Sequence, residues 1–133
     1  MKHLANCTNT EFLKQAMVVR APLKAWLERT GIPAIRARRP EGWEELTKEQ
    51  ESKLTPEERE ARRNALINQA ERNMSEIVDT ALRTDFDRSI ELLCLVTFTD
   101  AEHFDDNPLS DYIAAVMEIM RDPGVRNFFT LYL

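Results

Sequence analysis

The chain has 133 residues, 43% hydrophobic and 31% charged, with 3 Gly, 6 Pro, 2 Cys and a net charge of −5. Its length fits one domain of about 100–150 residues; its apolar content excludes wholesale disorder, and no apolar run approaches the roughly 18 residues of a membrane span. Two cysteines, Cys7 and Cys94, are too few for a disulfide scaffold, and three glycines leave little material for a phosphate-cradling loop or for many hairpin turns.

Met1 to Thr10 is broken by Lys2, His3, Asn6, Thr8, Asn9 and Thr10 and lacks the apolar stretch of a secretory signal. With two unpaired thiols, a reducing cytoplasm is the expected compartment. Thr8 and Glu11 stand in the spacing of a capping box, in which hydroxyl and carboxylate each satisfy a free backbone N–H at a helix start. Apolar residues then recur at helical steps through Phe12, Ala16, Val19, Leu23 and Trp26, with Leu13, Met17 and Leu27 beside them. This predicts a helix over about 9–30, kinked or broken at Pro22, which lacks an N–H and crowds the preceding turn. Gly31 can close it in the left-handed conformation, and Pro33 follows.

A single helical turn fits between Pro33 and Arg38, ending before Pro40. Residues 41–54 have only Trp43, Leu46 and Leu54 as large apolar groups and read as a charged, mobile connection or a weakly held helix. Thr55 as cap, Pro56 in the first turn and Glu57 and Glu58 at the positive end of the dipole open the next helix. Its stripe runs through Leu66, Ala70, Met74, Ile77 and Ala81, with Ile67, Val78 and Leu82 alongside, to about Arg83. The charged opening turns, Glu57 to Arg63, should project into solvent.

Asp85 can cap a third long helix whose middle, Ile90 to Phe98, is apolar on every side and therefore buried on every side. A buried strand through Val96–Thr99 is the competing reading, set aside because no other segment offers a pairing strand. Thr99 and Glu102 repeat the capping-box spacing before a short turn. Asn107 and Pro108 should open a helix with Leu109, Tyr112, Ile113, Val116, Met117 and Met120 on its inner side. Asp122–Pro123 repeats that device before Val125, Phe128, Phe129, Tyr132 and Leu133. The expected fold is therefore all-α, a bundle of about five to six helices in one domain over 1–133, with its helical core over about 56–133.

Charge is graded along the chain. Residues 1–40 carry 8 Lys/Arg against 2 Asp/Glu, residues 41–83 carry 7 against 11, and residues 84–133 carry 3 against 10. The basic and acidic ends either meet on folding or meet an outside partner.

Chemistry is sparsely signalled. Asp100 with His103, near Glu102, Asp105 and Asp106, gives one carboxylate-x-x-His step, whereas a di-metal bundle needs two such steps and further carboxylates. Cys94 sits in an apolar stretch where burial makes a thiol inert, and no Ser lies in a G-x-S-x-G turn. The expectation is no catalytic, cofactor-binding or metal-binding residue, hence no enzyme and no cofactor. Arg36, Arg38 and Arg39, with Lys14, Arg20, Lys24 and Arg29, form a basic cluster of the kind phosphate binding uses. The alternative is that these arginines meet acidic residues of the C-terminal third or an acidic protein. Phe128, Phe129, Leu131, Tyr132 and Leu133 concentrate large apolar groups at the end of the sequence, more than one docked helix face hides.

Several strings taken together, Thr8–Leu13, Trp26–Leu27, Ile35–Pro40, Glu91–Leu93 and Asp122–Phe129, resemble those of small proteins encoded among the tail genes of tailed phages and prophages, the tail assembly chaperones. The resemblance implies a non-catalytic protein of the bacterial host cytoplasm that binds the long helical tape measure protein and keeps it from aggregating before the tail tube forms. It implies reversible binding through modest interfaces with polar rims. Phe128, Phe129, Leu131, Tyr132 and Leu133 are then the expected partner contacts, and Arg36, Arg38 and Arg39 a polar or homo-oligomer contact. The rival readings are a small nucleic-acid-binding regulator using the basic N-terminal third and a structural protein of the virion.

Overall fold

A computed structural model describes the backbone of residues 1–132 and the side chains of residues 1–131; Leu133 and the Tyr132 side chain lie outside the described residues. The fold is all-α, with no strand among the described residues. Helices α1 (Asn9–Thr30), α2 (Ile32–Arg36), α3 (Lys48–Ser52), α4 (Pro56–Thr84), α5 (Phe86–Val96), α6 (Leu109–Arg121) and α7 (Pro123–Tyr132) follow one another, with a 3-10 helix at Ala101–Asp106 before α6. The number exceeds the expected five to six because the stretch read as a connection contains α3. Contacts divide the chain into two units, residues 1–30 with 84–133, and residues 31–83.

In the first unit α1 lies along α5. Ala16 and Val19 on α1 are fully buried, as Leu92 and Cys94 are on α5. Polar ties run the length of this pairing: Gln15 Nε2 donates to the Leu95 carbonyl at 2.6 Å, Trp26 Nε1 to Ser89 Oγ at 2.8 Å, and Arg29 meets Asp85 at 3.1 Å. The Thr8–Glu11 capping box forms in both directions, at 3.0 and 3.2 Å. Pro22 does not break the helix, which continues through it. The carbonyl that loses its donor belongs to Val18, half exposed and open to water, while Gln15 and Trp26 hold the helix on α5 on both sides of the proline.

Helix α5 is half-buried or buried at every position from Ile90 to Val96 except Glu91, as its composition requires. Its ends differ from expectation. Asp85 makes no capping bond, since its carboxylate is engaged by Arg29. Thr97–Thr99 is neither strand nor capping box but a Schellman-type stop, with the Thr99 N–H donating to the Cys94 carbonyl at 3.0 Å and Phe98 in the left-handed region at φ 52°. That region normally calls for glycine. Thr99 spends its hydroxyl on Thr97, so the 3-10 helix begins without a side-chain cap. Asn107 does not cap α6 either, and Pro108 stands at the cap position itself. Asp122 does cap α7, its Oδ1 accepting from the Val125 N–H at 2.9 Å.

In the second unit, Gly31 takes φ 68° between α1 and α2, as its place after the first helix predicts. Thr47 with Gln50 and Thr55 with Glu58 form two further reciprocal capping boxes that start α3 and α4. Segment 37–54 fastens to α4 by polar contacts. Asn73, buried, donates to the Arg38 carbonyl at 3.1 Å and accepts from Gln69 at 2.8 Å. Arg38 pairs with Glu76, Arg62 donates to the Glu44 carbonyl at 3.0 Å, and the Arg62 guanidinium lies 3.9 Å from the Trp43 ring centre. Arg62 is thus half-buried rather than projecting into solvent with its neighbours.

Candidate interaction surfaces

The inner side of α6 is rotated from the expected one. Tyr112 and Ala115 are buried and Val116 and Ile119 half-buried, whereas Leu109, Ile113, Met117 and Met120 are exposed. Tyr112 anchors this orientation: at 1% exposure it stacks on Phe104 with ring centres 4.7 Å apart and donates its hydroxyl to the Phe104 carbonyl at 2.9 Å. The helix is apolar over about 200° of its circumference, wider than the stripe one neighbouring face covers, and burial takes the Tyr112 half. What remains outside is a row at three- and four-residue steps about 16 Å long. That width is the signal for the surface: Leu109, Ile113, Met117 and Met120, expected inside with Tyr112 and Val116, are more than one neighbouring face covers.

Helix α7 packs on α6 and contains the expected C-terminal contacts. Phe128 and Phe129 are half-buried, the Phe128 ring meeting Phe12 edge-to-face at 5.2 Å and Phe129 at 5.4 Å. Leu131 is 78% exposed. The expected contributions of the Tyr132 side chain and of Leu133 fall outside the described residues. Phe128 and Phe129 therefore complete the packing of their unit in part, while Leu131 belongs to its outer surface.

The arginine cluster lies in the other unit. Arg36 is exposed, Arg38 pairs with Glu76, and Arg39 lies 3.8 Å from Glu45. These carboxylates come from residues 31–83, whereas Arg29 of the same basic stretch pairs with Asp85 of the acidic C-terminal third. A second bare row lies on α4, where Ile67, Met74, Val78 and Leu82 are exposed, while the face carrying Arg62, Asn73 and Glu76, with exposed Leu66, receives segment 37–54. Leu13, Met17 and Val18 form a smaller exposed group on α1.

Groups with chemical potential are engaged or open to water. Cys94 is buried, and burial, with a smaller contribution from Asp100, pushes its thiol pKa up, so thiolate is scarce near neutrality. Asp100, Glu102 and His103 are exposed with ligand atoms within 4.8 Å of one another, and His103 Nδ1 is 2.8 Å from Asp106. His3 is buried; its Nδ1 accepts from the Ala5 N–H at 3.1 Å, which leaves Nε2 to donate to Glu118 at 2.6 Å. A shallow cleft of about 200 Å³ includes His3, Asp111, Ala115 and Glu118, and another of about 290 Å³ lies beside Pro22, Trp26 and Arg88. Both fall below the roughly 300–1,000 Å³ of small-molecule sites.

Among the described residues no helix is long and apolar enough to cross a membrane. Compared with known proteins, the chain matches no family model, no curated protein sequence and no solved structure.

Proposed function

We propose that this chain is a non-catalytic tail assembly chaperone that binds the tape measure protein of a phage or prophage in the host cytoplasm while the tail is built. The reading starts from the resemblance of the Thr8–Leu13, Ile35–Pro40 and Asp122–Phe129 strings. The observation that carries it is the bare row Leu109, Ile113, Met117 and Met120 on a helix that buries Tyr112 and Ala115. A tape measure protein presents long apolar helix faces, and side-by-side packing of helices through rows at three- and four-residue spacing is the standard way to cover them. Leu131 on α7, exposed, joins the proposed contact set, and half-buried Phe128 and Phe129 pack edge-to-face on one another.

The nucleic-acid alternative loses weight because Arg38 and Arg39 have carboxylate neighbours in Glu76 and Glu45 and the chain is acidic overall. Co-expression with the tape measure protein of the same phage or prophage tests the proposal. The expected result is a soluble tape measure protein only when this chain is present, with this chain absent from purified particles. A tape measure protein equally insoluble with and without it overturns the reading, and stoichiometric recovery from finished particles replaces it with a structural role.

A further inference from the structure

We infer that the outer face of α6 takes a cationic amphipathic helix, a partner segment with apolar residues at three- and four-residue steps and Lys or Arg along its flank. The inference rests on the helix-binding reading above and adds the chemistry of the partner. The exposed arc of α6 spans about 200°, from Leu109 through Met120, Ile113, Met117 and Ala114 to Glu118 and Asp111, with Ser110 and Arg121 as its other polar members. Asp111 and Glu118, two turns apart, form the far edge of that arc, Glu118 already accepting from His3, and Asp105 and Asp106, the latter beside His103, stand just before its N-terminal end. Residues 100–122 carry seven carboxylates, with Arg121 as their one Lys or Arg.

This charge selects among occupants. A second copy of the same face would bring two acidic stretches together, and like charges set side by side in an interface repel. An anionic lipid surface or a nucleic acid meets the same repulsion. A helix flanked by Lys or Arg gains attraction from the net negative charge of residues 100–122 and buries its apolar face on Ile113 and Met117. Binding of this kind is steered by charge and reversible, and it weakens as salt screens the rim.

The test uses the full chain and two synthetic helical peptides of about five turns with identical leucine faces, one flanked by Lys and the other by Glu, titrated by fluorescence anisotropy. The Lys peptide is expected to bind about tenfold or more tighter, a difference of about 1.4 kcal/mol, and to lose most of that margin when salt rises to about 1 M. Ile113→Asp with Met117→Asp adds negative charge, yet should weaken the Lys peptide about tenfold; Asp105→Asn, Asp106→Asn and Asp111→Asn together should narrow the gap between the peptides. Retained circular dichroism certifies that the variants fold. Equal binding of both peptides, binding of neither, or tighter binding to the aspartate variant overturns the inference. If co-expression still rescues the tape measure protein in that event, only the cationic chemistry falls; if the rescue fails too, the helix-binding reading falls with it.

Discussion

In the unit formed by residues 1–30 and 84–133, fully buried Val19 and Tyr112 sit among packed helices, and polar groups such as Gln15 and Trp26 tie the helices together. In the unit formed by residues 31–83, the side chain that α4 buries is Asn73, while Leu66, Ile67, Met74, Val78 and Leu82 stay in contact with water. The first unit follows the usual rule that an amphipathic helix turns its apolar stripe inward and leaves a remainder outside where the stripe is too wide. The second adds a polar strap on α4, while Ile32 and Ile35 are the apolar side chains this unit buries among the described residues. Hydrophobic burial is roughly proportional to the apolar area removed from water, so the first unit should resist unfolding more strongly and the second should open more readily.

The two tryptophans allow that difference to be read separately, since Trp26 belongs to the first unit and Trp43 to the second. The largest effect is expected from Tyr112→Ala, which leaves a cavity and strips the Phe104 carbonyl of its donor. A loss of about 3–5 kcal/mol should appear in urea unfolding followed through Trp26 in a Trp43→Phe background. Asn73→Ala comes next, at about 1–3 kcal/mol, because the Arg38 carbonyl loses its buried partner. It should show as faster amide exchange over residues 37–54 and as a lower midpoint read through Trp43. Thr55→Ala should be smallest, about 1 kcal/mol, by removing half of the box that starts α4. If Asn73→Ala leaves exchange over 37–54 unchanged while Tyr112→Ala accelerates it, the contrast between polar strap and apolar core is wrong.

Much of the fold was legible because its signals are local. Thr8 with Glu11, Thr55 with Pro56, Gly31, and Asp122 with Pro123 are short-range devices, and each marks a helix boundary where the structure has one. Thr47-x-x-Gln50 is an equally plain capping signal, set in a stretch whose low apolar content reads as a connection. Where a residue had a longer-range alternative, local reading failed. Asp85 serves Arg29 instead of a helix end, and Thr99 serves Thr97. Phe98 stops α5 in a conformation that composition assigns to glycine. The candidate surface suffered most, since periodicity gives the width of an apolar stripe but not which part of it a neighbour covers. On α6 the covered part is fixed by Tyr112 and the Phe104 carbonyl, and no spacing rule contains that contact.

If the exposed row of α6 is the surface that covers a partner helix, charging it must abolish that function. The direct measurement is the soluble fraction of the tape measure protein when co-expressed with the unaltered chain or with the Ile113→Asp, Met117→Asp variant, in cells where both forms accumulate equally. Both positions are exposed, so the variant should fold with a stability change within about 0.5 kcal/mol, yet leave most of the tape measure protein in the pellet. Full rescue by that variant would contradict the account.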